Sequence, residues 1–206
     1  MIELLYGTGN PAKLAAMRRA LAALSVQVVG PADLGVPAPE IAESGGTPPE
    51  NARLKAEGCF RAFRRPVFAC DSGLYFDRLP EALQPGTHVR RVGGKTLTDA
   101  EMTDYYAALA RRYGPLRGRY RNAVCFTPDG VRFFERMSAE LNGGAFVLVG
   151  TPHARREPGF PLDCLSVEPE SGNYYYDLGV RLTDETAQNR GFARFFAEAL
   201  EELKWL

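Results

Sequence analysis

An apolar strand running straight into a glycine-rich turn and a capped helix limits this chain to folds that lay helices on a sheet. Leu4-Leu5-Tyr6 supplies the strand and Gly7-Thr8-Gly9 the turn. Asn10 is a good N-cap, and Pro11 suits the first helical position. Leu14, Met17, Leu21 and Leu24 follow at helical spacing, so this helix buries one stripe and turns Arg18 and Arg19 outward. Val26-Gln27-Val28-Val29 reads as the next strand, closed by Gly30-Pro31 and a proline-rich loop from Asp33 to Ala42. Strand, helix, strand at this spacing predicts a βαβ start. Lys13 sits badly in the first helical turn, where a cation forgoes roughly 0.3–1 kcal/mol that an acid would gain from the helix dipole. A phosphate held against the free N–H groups of the turn gives that lysine a purpose; a solvated lysine on an ordinary βα turn is the plain alternative.

A chain of 206 residues can bury the core of a single α/β domain carrying a second lobe, here placed at roughly 76–150. Lysine plus arginine equals aspartate plus glutamate at 25 each, which leaves no overall field to hold a nucleic-acid polymer or a membrane surface. A small, locally held anion fits that balance. Cys59, Cys70, Cys125 and Cys164 are too scattered for zinc-ligand spacing and read as reduced, buried thiols. The chain opens without a basic region and apolar run, and no apolar stretch reaches about 18 residues, so the expected compartment is the cytoplasm.

Two further segments carry chemistry. In Glu43-Ser44-Gly45-Gly46-Thr47-Pro48-Pro49-Glu50, Thr47 as N-cap and Glu50 three residues on predict a capping box, which gives Glu50 a structural task. Glu43 has none in its Gly-rich turn and is the better metal candidate. The helix that follows is expected to bury Ala52, Ala56, Cys59, Phe60 and Phe63, with Lys55 at the edge, either snorkelling to solvent or reaching back toward a phosphate. Val67-Phe68-Ala69-Cys70 reads as a strand covered on both faces that ends in Asp71-Ser72-Gly73-Leu74. Ligands collect at the carboxyl ends of such strands, although an Asp-Ser-Gly sequence is also a common turn. Glu43, Asp71, two lysines and Gly-rich turns together suit Mg²⁺ with a polyphosphate.

These segments resemble the inosine triphosphate pyrophosphatase family, which hydrolyses non-canonical purine nucleoside triphosphates to monophosphate and pyrophosphate. Six segments match in order: Thr8-Gly9-Asn10 with Lys13; Glu43 through Lys55; Asp71-Ser72-Gly73-Leu74; Pro85-Gly86 with Arg91; Arg121, Ala123 and Phe126; and Gly159-Phe160 with Asp163. The resemblance implies a two-lobed α/β fold with a long mixed sheet and a nucleotide cleft between the lobes. It implies Mg²⁺ on Glu43 and Asp71, with Asp71 activating water, and Lys13 joining these two as a catalytic residue. Lys13, Lys55, the amides of Thr8, Gly9 and Asn10, and Ser72 would hold the triphosphate. Arg91, Phe160, Asp163, Asn189 and Arg190 complete the implied substrate site, and a homodimer is the implied assembly. The chain also departs from the family. Ala16 replaces a glutamate, Cys70 an acid, Pro161-Leu162 a Gly-Tyr pair, Asn189 a histidine and Asp184 a lysine. The last two family positions read the purine base, so an altered base preference, or loss of activity on inosine and xanthosine triphosphates with the phosphate chemistry intact, is expected; a nucleotide-binding sensor with little turnover is the alternative. A dinucleotide site is a poor third choice, because the first turn lacks G-x-G-x-x-G spacing.

The remainder reads as scaffold. A helix is expected from Asp99 to Tyr113, with Met102, Tyr105, Tyr106, Leu109 and Tyr113 on adjoining faces, suited to core or a dimer contact. A hairpin is expected from Tyr120 to Thr127 and Val131 to Leu141 around Pro128-Asp129-Gly130, then a strand from Phe146 to Val149. Tyr174-Tyr175-Tyr176 reads as strand with alternating faces, so at most two of its rings could stack on a base, and a last helix begins near Thr183 with Asp184 and Glu185 in its first turn. His88 lies in a segment before Arg91 that could gate a cleft, or is a plain loop histidine.

Overall fold

The computed structural model describes residues 2–179 and 186–205. In chain order its elements are β1 (Ile2–Tyr6), α1 (Pro11–Ala20), β2 (Val26–Val29), α2 (Pro48–Phe63), β3 (Val67–Phe76), β4 (Arg91–Val92) and β5 (Lys95–Thr96). There follow α3 (Asp99–Tyr113), β6 (Leu116–Thr127), β7 (Phe134–Met137), β8 (Phe146–Leu148), β9 (Ser166–Val167), α4 (Tyr175–Leu178) and α5 (Thr186–Glu202). Seven strands form one mixed sheet in the order β2-β1-β3-β6-β8-β9, with β7 also on β6, while β4 and β5 make a separate ribbon. β1 runs parallel to both β2 and β3, as crossovers through α1 and α2 require, and β6 runs antiparallel to β7 and β8. The mixed α/β architecture is the one that the strand and helix alternation predicts.

The chain divides into two compact units, the first made of Met1–Ser72, Arg121–Asn142 and Thr186–Leu206. Its sheet is covered on both faces, which is why Val67-Phe68-Ala69 reads as an unbroken apolar run. On one face Leu4, Tyr6, Phe68 and Phe126 pack with Leu14 and Met17 of α1 and with Phe192, Phe195, Phe196 and Leu200 of α5. On the other, Leu5, Val29 and Val67 meet Cys59, and Ala69 meets Ala52 and Ala56. Phe196 stands edge-on to Phe68, with ring centroids 4.7 Å apart, and is fully buried. Phe196→Ala is expected to destabilise the fold by about 3–5 kcal/mol through lost transfer energy and the cavity left behind, measured as a lower urea midpoint at unchanged m-value.

The second unit consists of Gly73–Tyr120 and Gly143–Glu185. Leu74 and Phe76 at the end of β3, Met102 and Tyr106 of α3, and Leu148 of β8 make its core with Leu165. Thr98 and Glu101 form a capping box that starts α3, whose residues Met102, Tyr106 and Leu109 are buried while Tyr113 is exposed. Several expected elements take other forms. β3 does not stop at Asp71 but continues to Phe76, because Leu74 and Phe76 each have a core to enter. Gly73 allows this: a Cβ there would lie 2.7 Å from the Tyr75 ring and 3.1 Å from the Gly86 backbone, which pairs with Leu74. The second arm of the hairpin is strand only over β7, after which Ala139–Leu141 coils into a 3₁₀ turn. Tyr174-Tyr175-Tyr176 is not strand: Tyr174 makes a single bridge to Val167 and the next two residues open α4. His153 lies between the Tyr174 and Tyr176 rings at 5.1 and 5.4 Å, and the Tyr174 hydroxyl donates to the Thr151 carbonyl at 2.6 Å. These rings are used in packing. The expected start of the last helix at Thr183, with Asp184 and Glu185, falls outside the described residues.

Candidate active site

The turn after β1 is held by its own side chains. Asn10 caps α1, its Oδ1 accepting from the N–H groups of Ala12 at 2.9 Å and Lys13 at 3.3 Å. Thr8 Oγ1 accepts from Asn10 N–H at 3.1 Å, and Thr8 N–H donates to the Tyr6 carbonyl at 2.7 Å. The amides of Thr8 and Asn10 are therefore already engaged, and no hydrogen bond among the described residues takes the N–H of exposed Gly9. The first turn of α1 holds no acidic side chain. Lys13 is exposed and, among the described residues, no ion pair holds its ammonium.

Across the sheet, α2 and β3 bring together residues far apart in the chain. Thr47 and Glu50 form the expected capping box, which fixes where α2 begins and so where its side chains point. Asp71 lies past the register of β1, whose last pair with β3 is Tyr6 with Phe68, so it stands beyond the carboxyl end of the parallel strands even though β3 continues. Lys55, one helical turn on from Asn51, reaches neither solvent nor an empty loop. Its Nζ lies 2.6 Å from Asp71 Oδ1 and 2.9 Å from Glu43 Oε1, with side chains 17 %, 8 % and 47 % exposed in the order Lys55, Asp71, Glu43. Burial works against the Lys55 ammonium, but the hydrogen bonds and charges of Asp71 and Glu43 outweigh it and hold its pKa above the ordinary value.

Asn51 lies beneath this triad. Its Oδ1 accepts from Gly45 N–H at 2.8 Å and its Nδ2 donates to Asp71 Oδ2 at 3.3 Å. Two carboxylates from separate segments thus converge on one cation, an oxygen-donor arrangement that suits a divalent metal in place of the ammonium. Among the described residues no group of three or more His, Cys, Asp and Glu side chains could hold a metal. A pair of carboxylates is the number Mg²⁺ uses when substrate phosphates and water complete its shell.

Ser72, next along β3, points the opposite way. Its hydroxyl donates to Asn122 Oδ1 at 2.6 Å, and Asn122 Nδ2 donates to the Leu141 carbonyl at 2.7 Å. With its proton committed, Ser72 is left as an acceptor. Cys70 shares that side of the strand and packs against the α1 and α5 core. Burial pushes its thiol up to about 12, against the lowering pull of a Tyr6 hydrogen bond and of the Lys13 and Lys55 charges. A neutral thiol of this kind does not replace the acid that the related motif carries there.

The Ham1 family profile matches residues 4–143. A protein named dITP/XTP pyrophosphatase from Anaeromyxobacter dehalogenans is 43% identical over 196 residues, covering 81% of this chain and 80% of its own. One of the same name from Thermus thermophilus is 33% identical over 185 residues, covering 87% and 82%. The chain belongs to the Ham1 family. The Ham1 protein of Coxiella burnetii has the same fold, with a TM-score of 0.73 at 22% identity over 98% of this chain and all of that one. The Ham1 protein of Staphylococcus aureus gives 0.69 at 20% identity over 98% and 99%. The resemblance read from the six ordered motifs is borne out.

In this Ham1 chain the first unit gathers Glu43, Lys55 and Asp71, and it also holds Lys13 in its separate turn, Asn189, which is half-buried, and Arg190, which is exposed. Arg91, exposed in β4, Phe160, 45 % exposed, and Asp163, which opens a 3₁₀ turn over Asp163–Leu165, belong to the second unit. Asp184 lies outside the described residues. His88 is exposed in a loop. Of two buried asparagines, Asn122 escaped the sequence reading, and Asn51 entered it only as part of the Glu43 through Lys55 segment, with no role of its own. A signal for Asn51 was present: asparagine is a poor interior helix residue, and Asn51 precedes the buried Ala52 with no cap to make.

Proposed function

We propose that this chain is a metal-dependent pyrophosphatase that converts non-canonical purine nucleoside triphosphates to nucleoside monophosphate and pyrophosphate, with Mg²⁺ as its metal. The observation that carries this reading is the convergence of Glu43 and Asp71 on one ammonium, 2.9 and 2.6 Å away, in a Ham1-family chain. The names of the relatives, dITP/XTP pyrophosphatase, support the substrate class. Glu43 and Asp71 would hold Mg²⁺, which when bound neutralises charge on the departing pyrophosphate. Asp71 takes the proton of the attacking water as its oxygen bonds to the α-phosphorus and the bond to pyrophosphate breaks. Lys55 and Lys13 set positive charge against the phosphate oxygens, and the Gly9 N–H donates to one of them in a turn shaped by Thr8 and Asn10. Ser72 would hold a phosphate oxygen only by turning its hydroxyl away from Asn122, since triphosphate oxygens accept and the Ser72 proton is committed to Asn122 Oδ1. Arg91, Phe160, Asp163, Asn189 and Arg190 serve the nucleoside end, where Asn189 and Asp184 shift base preference. The same reading places the protein in the cytoplasm as a homodimer: its four free thiols fit a reducing compartment, and exposed Tyr113 on α3 offers an aromatic contact.

The test is pyrophosphate release with Mg²⁺ from inosine, xanthosine, guanosine, adenosine, pyrimidine and modified-base triphosphates. Release is expected from at least one purine form. Glu43→Gln should raise the Mg²⁺ concentration for half-maximal rate about tenfold or more, and an unchanged Mg²⁺ dependence would remove Glu43 from the metal site. Silence across the panel with nucleotide still bound would favour the sensor, the reading that the neutral thiol of Cys70 supports.

A further inference from the structure

We infer that Asn51 is the positioning residue that ties the Glu43 turn to Asp71 and so presents the two carboxylates as one cation site. The inference rests on the metal reading given above and goes beyond it by assigning a residue that never touches the metal or the substrate. Asn51 is 1 % exposed, and both ends of its amide are engaged. Its Nδ2 and the Lys55 ammonium are the two groups that donate to the Asp71 side chain among the described residues, one to each carboxylate oxygen. When a divalent cation takes the place of the ammonium at Oδ1, Asn51 still holds Oδ2, and the carboxylate keeps its direction. A ligand whose far oxygen is pinned in this way gives up less freedom on binding metal.

The other end of the amide fixes Glu43. Gly45 is buried and its N–H has Asn51 Oδ1 as acceptor, so the backbone two residues beyond Glu43 is anchored to the helix that carries Lys55. The fit is close. A Cβ on Gly45 would lie 2.7 Å from Asn51 Oδ1 and 2.6 Å from Glu50 Cβ, and only glycine lets the turn approach so near. Asparagine alone suits the span: aspartate has no donor for Asp71, leucine no polar atom, and glutamine is longer by a methylene. The bridge therefore has two ends that can be broken separately, Asn51→Ala from the helix and Gly45→Ala from the turn.

The deciding measurement is Mn²⁺ binding to the full chain, followed by loss of the free-ion electron paramagnetic resonance signal, beside thermal melting without metal. Asn51→Ala and Gly45→Ala are each expected to weaken Mn²⁺ binding about tenfold or more while folded, with Asp71→Asn as the null control. Should Asn51→Ala fail to fold, Gly45→Ala tests the same bridge from the loop. Unchanged Mn²⁺ affinity in either folded variant overturns the role of Asn51 and leaves the metal reading intact. Wild-type protein that binds no Mn²⁺ overturns both.

Discussion

Asp71→Asn should give a folded protein whose pyrophosphate release falls by about 10³-fold, on the order of 4 kcal/mol of lost transition-state stabilisation. The substitution keeps the shape of the side chain, and its carbonyl can still accept from Asn51 or Lys55, so the surroundings of a residue 6 % exposed are preserved. What it removes is a charge and a base. Without the charge, Lys55 keeps only Glu43, and the carboxylate pair that would take a divalent cation is halved. Without the base, the groups left beside Lys55 and Asp71 among the described residues are Glu43, 47 % exposed and in a separate turn, and the neutral Cys70 thiol. The comparison requires melting curves beside the rates. Turnover within about tenfold of wild type in a folded variant would sink the assignment of Asp71 as base.

Rules that act within a few residues made much of this molecule legible. The asparagine cap with its proline, the capping box at Thr47 and the apolar stripe of α1 depend on neighbours in sequence, and each is found where the pattern puts it. The site was legible as a set of residues, but its wiring was not. Lys55 had two readings, solvent or phosphate, because nothing local says that Asp71, 16 residues on, ends 2.6 Å from it. Asn51 and Asn122 were silent for the same reason: an amide that spans two segments has no periodicity. The end of β3 was misread because Asp-Ser-Gly is turn chemistry in isolation, and only the core that receives Leu74 and Phe76 keeps the chain extended. The tyrosine triplet failed similarly, its rings being claimed by His153 and the Thr151 carbonyl rather than by strand partners.

Lys55→Met separates two roles that the resting structure merges in one side chain. Its ammonium holds Asp71 and Glu43 together, so removing it leaves two carboxylates facing each other with one hydrogen bond, from Asn51 Nδ2 to Asp71 at 3.3 Å. Breaking a buried pair by deleting one partner costs about 3–5 kcal/mol, and the exposure of Glu43 at 47 % brings the expected loss here to about 2–3 kcal/mol in metal-free buffer. A divalent cation should then restore what the ammonium supplied. In the wild type, Mg²⁺ must displace a lysine already charged and paired; in Lys55→Met it meets two uncompensated carboxylates. The melting temperature of the variant should therefore rise further with millimolar Mg²⁺ than that of the wild type, while turnover falls about 10²-fold for want of a cation against the triphosphate. An equal Mg²⁺ shift in both proteins would mean that the metal does not share the ground held by Lys55, and the carboxylate pair would then be a salt-bridge device rather than a metal site.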